Sequence, residues 1–254
     1  MRFFCNIAYA ILLSLSAFSF AKDEVSVPVV YSVPSFAPFV TTTQFPCPGA
    51  ASSILKNMLT SLNIQSELEV LPYARILHAL SNNNLDVALI FKNIAIEESV
   101  SYLGPVSMSK VIVISDPDKP VNDYEDLAKL DAIAVIKNAQ FESRFDQDNS
   151  INKLAVRSYE HGLQMFEKGR VDAIIGSDIG LTHAISQRNL HDNYIKRAFH
   201  LGDKAWYLHI AKGSKLLNHN ESILKWLDQN AHPNLMLEQY LKHNKSCRSA
   251  NVPQ

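Results

Sequence analysis

The sequence predicts an α/β fold made of two similar sets of β-α units, and three observations predict it. Residues 71–91 set a helix and a buried strand back to back. Tyr73, Ile76, Leu77 and Leu80 fall at i, i+3, i+4 and i+7 on one helical face, and residues 85–91 form an apolar run broken only by Asp86. Such a run suits a strand buried on both faces, as in a parallel sheet. The first quarter of the mature chain reads β-α-β-α-β, the order of a sheet wound by right-handed crossovers. Finally, residues 80–90 (LSNNNLDVALI) and 166–176 (FEKGRVDAIIG) share one plan: a helix end, a polar break, an apolar residue, Asp and an apolar strand. Two sets with this turn indicate two lobes.

Composition sets the outer bounds. With 254 residues, 47% of them hydrophobic and 19% charged, the chain is long and apolar enough for a large core in one or two domains. A net charge of -1 argues against nucleic acid or an anionic membrane surface as the main partner. Residues 1–21 read as a secretory signal peptide: Arg2 opens it, residues 7–20 are an apolar run, and Ser19 and Ala21 are small residues before a cut at Lys22. That implies export of the mature chain. Cys5 leaves with the signal, and Cys47 and Cys247 remain, an even count in an oxidising compartment, so a disulfide between them is expected. Closing a loop of about 200 residues would contribute on the order of 5 kcal/mol in the chain-entropy model.

The elements follow in order. Residues 25–31 are a first strand, with Pro28 favouring an edge or an early bend. Residues 32–49 form a loop dense in proline and aromatics, where Phe36 and Phe39 can line a pocket or pack the loop. Residues 50–62 are a helix, and residues 64–70 a strand with Ile64, Leu68 and Val70 inward. Pro72 suits the first turn of the next helix. Residues 92–109 read as irregular and 111–115 as a strand. Asn122 and Glu125 form a capping box for a short helix. Then come a strand (132–136), a helix (140–147), a strand (154–159), a helix (160–168) stopped by Gly169, a strand (171–177), and a helix (179–190) that Asp178 can cap. A late strand (205–211) precedes two helices, 215–230 with Leu216, Leu217, Ile223, Leu224 and Leu227 inward, and 234–243 with Leu235, Leu237, Tyr240 and Leu241 inward. A polar tail from residue 244 reads as frayed.

The order and spacing of PSFAPFV, LPYARILHALSNNNLDVALI, EDLAKLDAIAVIKN, GRVDAIIGSD and IAKGS resemble the periplasmic solute-binding proteins of family 3, the amino-acid-binding type associated with ABC importers. The resemblance spans nearly all of the mature chain, as a divergent member. It implies a type II fold of two α/β lobes with a ligand cleft between them and a hinge of two crossing strands. Lobe one would comprise residues 22–106 and 201–254, which contains both Cys47 and Cys247, and lobe two residues 107–200. It also implies closure on the ligand, driven by tighter binding to the closed state.

Ligands of open α/β sheets bind beyond the carboxyl ends of strands. The resemblance therefore points to Phe36 and Phe39 as rings covering the ligand, and to Phe91, Lys92 and Asn93 after the third strand. Asn138 and Gln140 would lie before a helix N-terminus that favours an anion. Ser177 and Asp178 would stand near an acid for the ligand's amino group, with Asp178 equally a candidate cap. One departure matters. Family members carry a Thr-x-x-Arg-like segment whose arginine clamps the α-carboxylate, whereas residues 94–99 here read IAIEES. An ordinary α-amino acid is thereby in doubt, and Arg75, or else Lys92, is the substitute cation.

An enzyme on this fold, such as a dehydratase acting on prephenate-like acids, is the weaker alternative. The nine histidines are scattered, and no HExxH, CxxC, G-x-S-x-G or Walker A pattern occurs. The reading is a monomeric periplasmic protein that binds a small polar solute by lobe closure, without cofactor or metal. Its partner would be an ABC permease or, alternatively, a sensor receptor.

Overall fold

The computed structural model describes residues 27–42, 46–190 and 193–250, with side chains to residue 245. The expected signal peptide, the first residues of the first strand and the side chain of Cys247 lie outside the described residues.

The elements run along the chain as β1 (Val29–Ser32), α1 (Ala50–Ser61), β2 (Ser66–Leu68), α2 (Tyr73–Ser81), β3 (Val87–Phe91), β4 (Val100–Ser115), β5 (Ile133–Ile136), α3 (Ser143–Gln147), β6 (Lys153–Val156), α4 (Tyr159–Glu167), β7 (Ala173–Ser177), α5 (Asp178–Gln187), α6 (Asn193–Lys196), β8 (Phe199–Ala211), α7 (Asn220–Asn230) and α8 (Leu235–Ala250). The strands lie in the order β2-β1-β3-β8-β4-β7-β5-β6. β1 pairs in parallel with β2 and β3, and β5 with β6 and β7. Two long strands join these sets: β8 runs antiparallel to β3 and β4, and β4 antiparallel to β7. The β4–β8 register shifts between Leu103 and Ser107, where Gly104 takes a φ of 144°.

The repeated Asp is a structural device that explains the sequence echo. Asp86 precedes β3, donates its N–H to Val30 O (3.0 Å) and accepts the Val30 N–H on its carboxylate (2.8 Å), while its carbonyl accepts the N–H of Ala211 at the end of β8. Asp172 precedes β7 and does the same in the other set: its N–H goes to Ala132 O, its carboxylate takes the Asp131 N–H, and its carbonyl takes the Asp116 N–H just past β4. Each aspartate thus holds the start of a neighbouring strand with its carboxylate, which an apolar residue cannot do, and the end of a long strand with its backbone carbonyl.

Several expectations are corrected. β1 is not an edge, because Pro28 falls just before it and leaves its N–H groups free for pairing. Val70 is exposed, since β2 ends at Leu68. Pro72 is the N-cap of α2. The stretch read as irregular forms most of β4, and the late strand begins at Phe199. The capping box is Asp123 with Asp126. α3 starts only at Ser143. Ser177, accepting from the Gly180 N–H, caps α5, and Asp178 is its first residue. Leu224, Leu237 and Leu241 are exposed, and Met236 takes the core position on α8, which continues to Ala250 rather than fraying at 244.

Candidate functional site

The carboxyl ends of β1, β3, β5 and β7 point toward the seam between the two sets, and a cluster of rings fills that seam. Phe36 and Phe39 come from the loop after β1, Tyr73 from the start of α2, Phe91 from the last position of β3, Tyr159 from the start of α4 and Trp206 from β8. Phe36 packs edge-on against Phe39 (5.8 Å) and, across the seam, against Tyr159 (5.0 Å, 71°). Trp206 lies 4.9 Å from Phe39 and 4.5 Å from Phe91. Phe141, beyond β5, closes the cluster from the second set, and the space left among the rings is only about 20 Å³.

Polar groups around the rings are mostly paired. The Trp206 Nε1–H donates to Ser109 Oγ (2.9 Å). Tyr159 Oη accepts the Ser177 N–H (2.9 Å), and burial pushes its pKa up to about 12. Its ring lies against two glycines: a Cβ at Gly176 or at Gly180 would stand 2.2 Å from ring atoms. Tyr73 is the exception. Its hydroxyl is buried and makes no close hydrogen bond; burial drives its pKa up, and the neighbouring Asn93 side chain offsets part of that shift. That neighbour, Asn93, also bonds Asn138 O and the Ala95 N–H.

Asn93 stitches the seam. Its Nδ2 donates to Asn138 O (2.9 Å), its Oδ1 accepts the Ala95 N–H, its carbonyl accepts the Tyr102 hydroxyl, and its N–H donates to His209 Nε2 (3.2 Å). Beside it, the Ile94 N–H donates to Gln140 Oε1 (2.8 Å). Asn138 reaches this position through a left-handed turn (φ 63°) after β5. His209 is buried, with Nδ1 3.1 Å from Tyr207 O. Burial first of all lowers its pKa to about 4, and Lys92 adds to the effect. It is therefore neutral, donating from Nδ1 and accepting at Nε2.

A groove of about 590 Å³ runs beside the ring cluster, between α2 of one set and α3 of the other. Burial raises the pKa of Asp146 in it, against the Phe141 N–H and the charges of Lys204 and Lys153. Burial likewise lowers Lys204, against Asp146 and Glu142. Among the described residues no group of three or more His, Cys, Asp or Glu could hold a metal ion, and no helix is long and apolar enough to cross a membrane.

Of the residues predicted from sequence, Phe36, Phe39 and Phe91 meet in the ring cluster, and Asn93, Asn138 and Gln140 form the seam beside it. Ser177 stands behind Tyr159. Three others face elsewhere. Arg75 is exposed on α2, on the side away from Tyr73, Ile76 and Leu77. Lys92 extends over the rings of Tyr102 (5.0 Å) and Tyr207 (5.2 Å). Asp178 lines a separate groove with Lys110 and Asp203. The anion-binding helix start expected after Asn138 and Gln140 is also absent there: Glu142 caps the five-residue α3. Sequence reasoning missed Tyr159, Phe141, Trp206 and His209 as site residues and read Tyr73 only as core.

No family model and no curated protein matches the chain. Solved structures do. The substrate-binding protein of an amino acid ABC transporter is 18% identical, with 86% of this chain and 100% of that one covered at a TM-score of 0.66. The arginine-, lysine-, histidine-binding protein ArtJ from Geobacillus stearothermophilus is 16% identical over 85% and 95% at 0.65. The VFT2 domain of Bordetella pertussis BvgS, as a double mutant, is 18% identical over 85% and 92% at 0.65. The fold is that of the type II solute-binding proteins: two α/β sets joined by two long strands around a seam. In this chain the seam is filled by rings.

Proposed function

We propose that the chain binds a small solute between its two lobes, opening and closing about β4 and β8, and performs no chemistry. The observation that carries this reading is the convergence of four strand ends, two from each parallel set, on one ring-lined seam. The lobes correspond to residues 22–106 with 201–254 and to residues 107–200. The fold likeness to binding proteins of ABC transporters supports a permease as partner. The likeness to a BvgS domain supports a sensor receptor as the second reading. A dehydratase-like activity finds no support in the paired, unclustered polar groups of the seam. The same reading includes a cleaved signal peptide, a periplasmic monomer, and a disulfide between Cys47, which is buried near the start of α1, and Cys247 on α8, the helix that packs on α1.

The test is a thermal-shift screen of amino acids, organic acids, amines, short peptides and aromatics, with Trp206 fluorescence as second readout and small-angle scattering for closure. A ligand at a hundredfold excess over Kd adds about 2.7 kcal/mol, so a hit is visible. Turnover of a screened compound, or no hit in any class, overturns the reading.

A further inference from the structure

We propose a second binding site outside the ring-filled seam: the groove between α2 and α3 takes an amphipathic amine, with its ammonium group on Asp146 and its apolar body along the groove walls. The groove holds about 590 Å³, within the range of small-molecule sites, and both α/β sets build it. Leu77 on α2 and Ile96 after β3 form one wall; Val135 on β5 and Phe145 on α3 form the other. An alkyl or aryl body laid between them removes apolar surface of both walls from water.

Asp146 is the charged group of the groove with bonding capacity to spare. Its two carboxylate oxygens share a single donor, the Phe141 N–H (3.1 and 3.0 Å), where a carboxylate accepts about four hydrogen bonds. The nearby cations do not supply the rest. Lys153 donates to the carbonyls of Asp146 (3.1 Å) and Asp148 (2.8 Å) and stands 5.0 Å from the centre of the Phe145 ring, and Lys204 acts on Asp146 through space alone. Burial outweighs both lysines and raises the pKa of Asp146, as it does for a carboxylate short of donors. A ligand ammonium brings three donors and the opposite charge together. A ligand carboxylate would meet Asp146 with like charge and a lysine already bonded twice. The remaining polar groups do not set the sign of the ligand: the Asn138 and Gln140 amides are uncharged, and His78 faces Asn82 one turn along.

The experiment is titration calorimetry of the protein with hexylamine, 1-hexanol and hexanoate at neutral pH, on the wild type, on Asp146→Asn and on Ala95→Trp. Asparagine keeps an acceptor for the Phe141 N–H and removes the charge. Ala95 is an exposed residue of the groove, so tryptophan there fills the groove without entering the core. Hexylamine should bind more tightly than 1-hexanol, and hexanoate least. Asp146→Asn should weaken hexylamine about tenfold or more and leave 1-hexanol unchanged, which also shows that the groove is intact. Ala95→Trp should abolish hexylamine binding. No binding of hexylamine to the wild type, equal affinity in Asp146→Asn, hexanoate as tight as hexylamine, or full affinity in Ala95→Trp overturns the proposal. The seam is read out separately: a solute that binds Ala95→Trp as it binds the wild type belongs to the seam, and the solute-binding reading then stands whatever hexylamine does. If hexylamine binds as expected and nothing binds Ala95→Trp, the groove stands and the seam reading falls.

Discussion

Gly176→Ala tests whether Tyr159, the ring that the second lobe sends into the seam, is held there by backbone packed against its face. A Cβ at Gly176 would stand 2.2 Å from Tyr159 Cε1, 2.6 Å from Cζ and 2.8 Å from Oη, so all three of its nearest contacts belong to one side chain. Tyr159 cannot retreat, because Gly180 holds its opposite edge and Phe36 its far side. Inserting a methylene or methyl into such a site costs about 1–3 kcal/mol. Alanine restricts the unfolded chain and returns about 0.4–1 kcal/mol. The net loss is therefore roughly 0–2.6 kcal/mol, and at about 2–4 °C per kcal/mol for a chain of this size the midpoint should fall by up to about 10 °C. The assay is urea and thermal unfolding of the single variants and of Gly176→Ala combined with Tyr159→Ala. With the ring gone, the added methyl fills space, so its cost should vanish and a coupling of about 1 kcal/mol or more should appear. An equal cost of Gly176→Ala in both backgrounds would refute the ring-against-glycine account.

Three further outcomes are expected. His209, held near a pKa of about 4 when folded against about 6.5 unfolded, is protonated first in the unfolded chain as pH falls. Its contribution is thus complete above about 6.5 and lost toward about 4, amounting to roughly 3 kcal/mol. Urea midpoints from pH 7.5 to 4.5 should fall more steeply in the wild type than in His209→Gln; parallel curves would contradict the assignment. Asp86→Ala removes the acceptor of the Val30 N–H (2.8 Å) and of the Ser214 hydroxyl (2.6 Å), at a cost of roughly 3 kcal/mol. Asp172→Ala, whose lysine partner is exposed, should cost less in the same urea titration. Finally, intact-mass alkylation of the unreduced mature chain should label neither Cys47 nor Cys247; two labels would end the proposed pairing.

Much of the fold was legible because its signals are local. The stripe Tyr73, Ile76, Leu77, Leu80 became the buried face of α2, and the run after Asp86 became β3, buried at every position. Gly169 stops α4 with a φ of 61°, where a side chain would be strained. The misreadings fall where local patterns compete. Ser177 and Asp178 are both good caps, and only the backbone path decided that Ser177 takes the role. Residues 199–204 mix polar and apolar side chains because β8 there lies at the surface, so half of the strand left no periodic trace. Arg75 was a candidate by its neighbourhood in sequence, but two residues beyond Tyr73 on a helix it faces the other way.

By itself the sequence determined the α/β class, the two repeated strand starts marked by Asp86 and Asp172, the aromatic loop after β1 and the absence of an arginine after β3. Hydrophobic period and turn chemistry are written in neighbouring residues, so they can be read one segment at a time. Only the tertiary structure decided that Phe36, Tyr73, Phe91, Tyr159 and Trp206, drawn from five elements spread over 170 residues of chain, meet as one cluster. It also decided that Asn93 stitches the seam and that the Tyr73 hydroxyl is buried beside it. Those facts depend on sheet order and register, which bring distant segments together through β4 and β8, and no local pattern encodes which residues will be neighbours there.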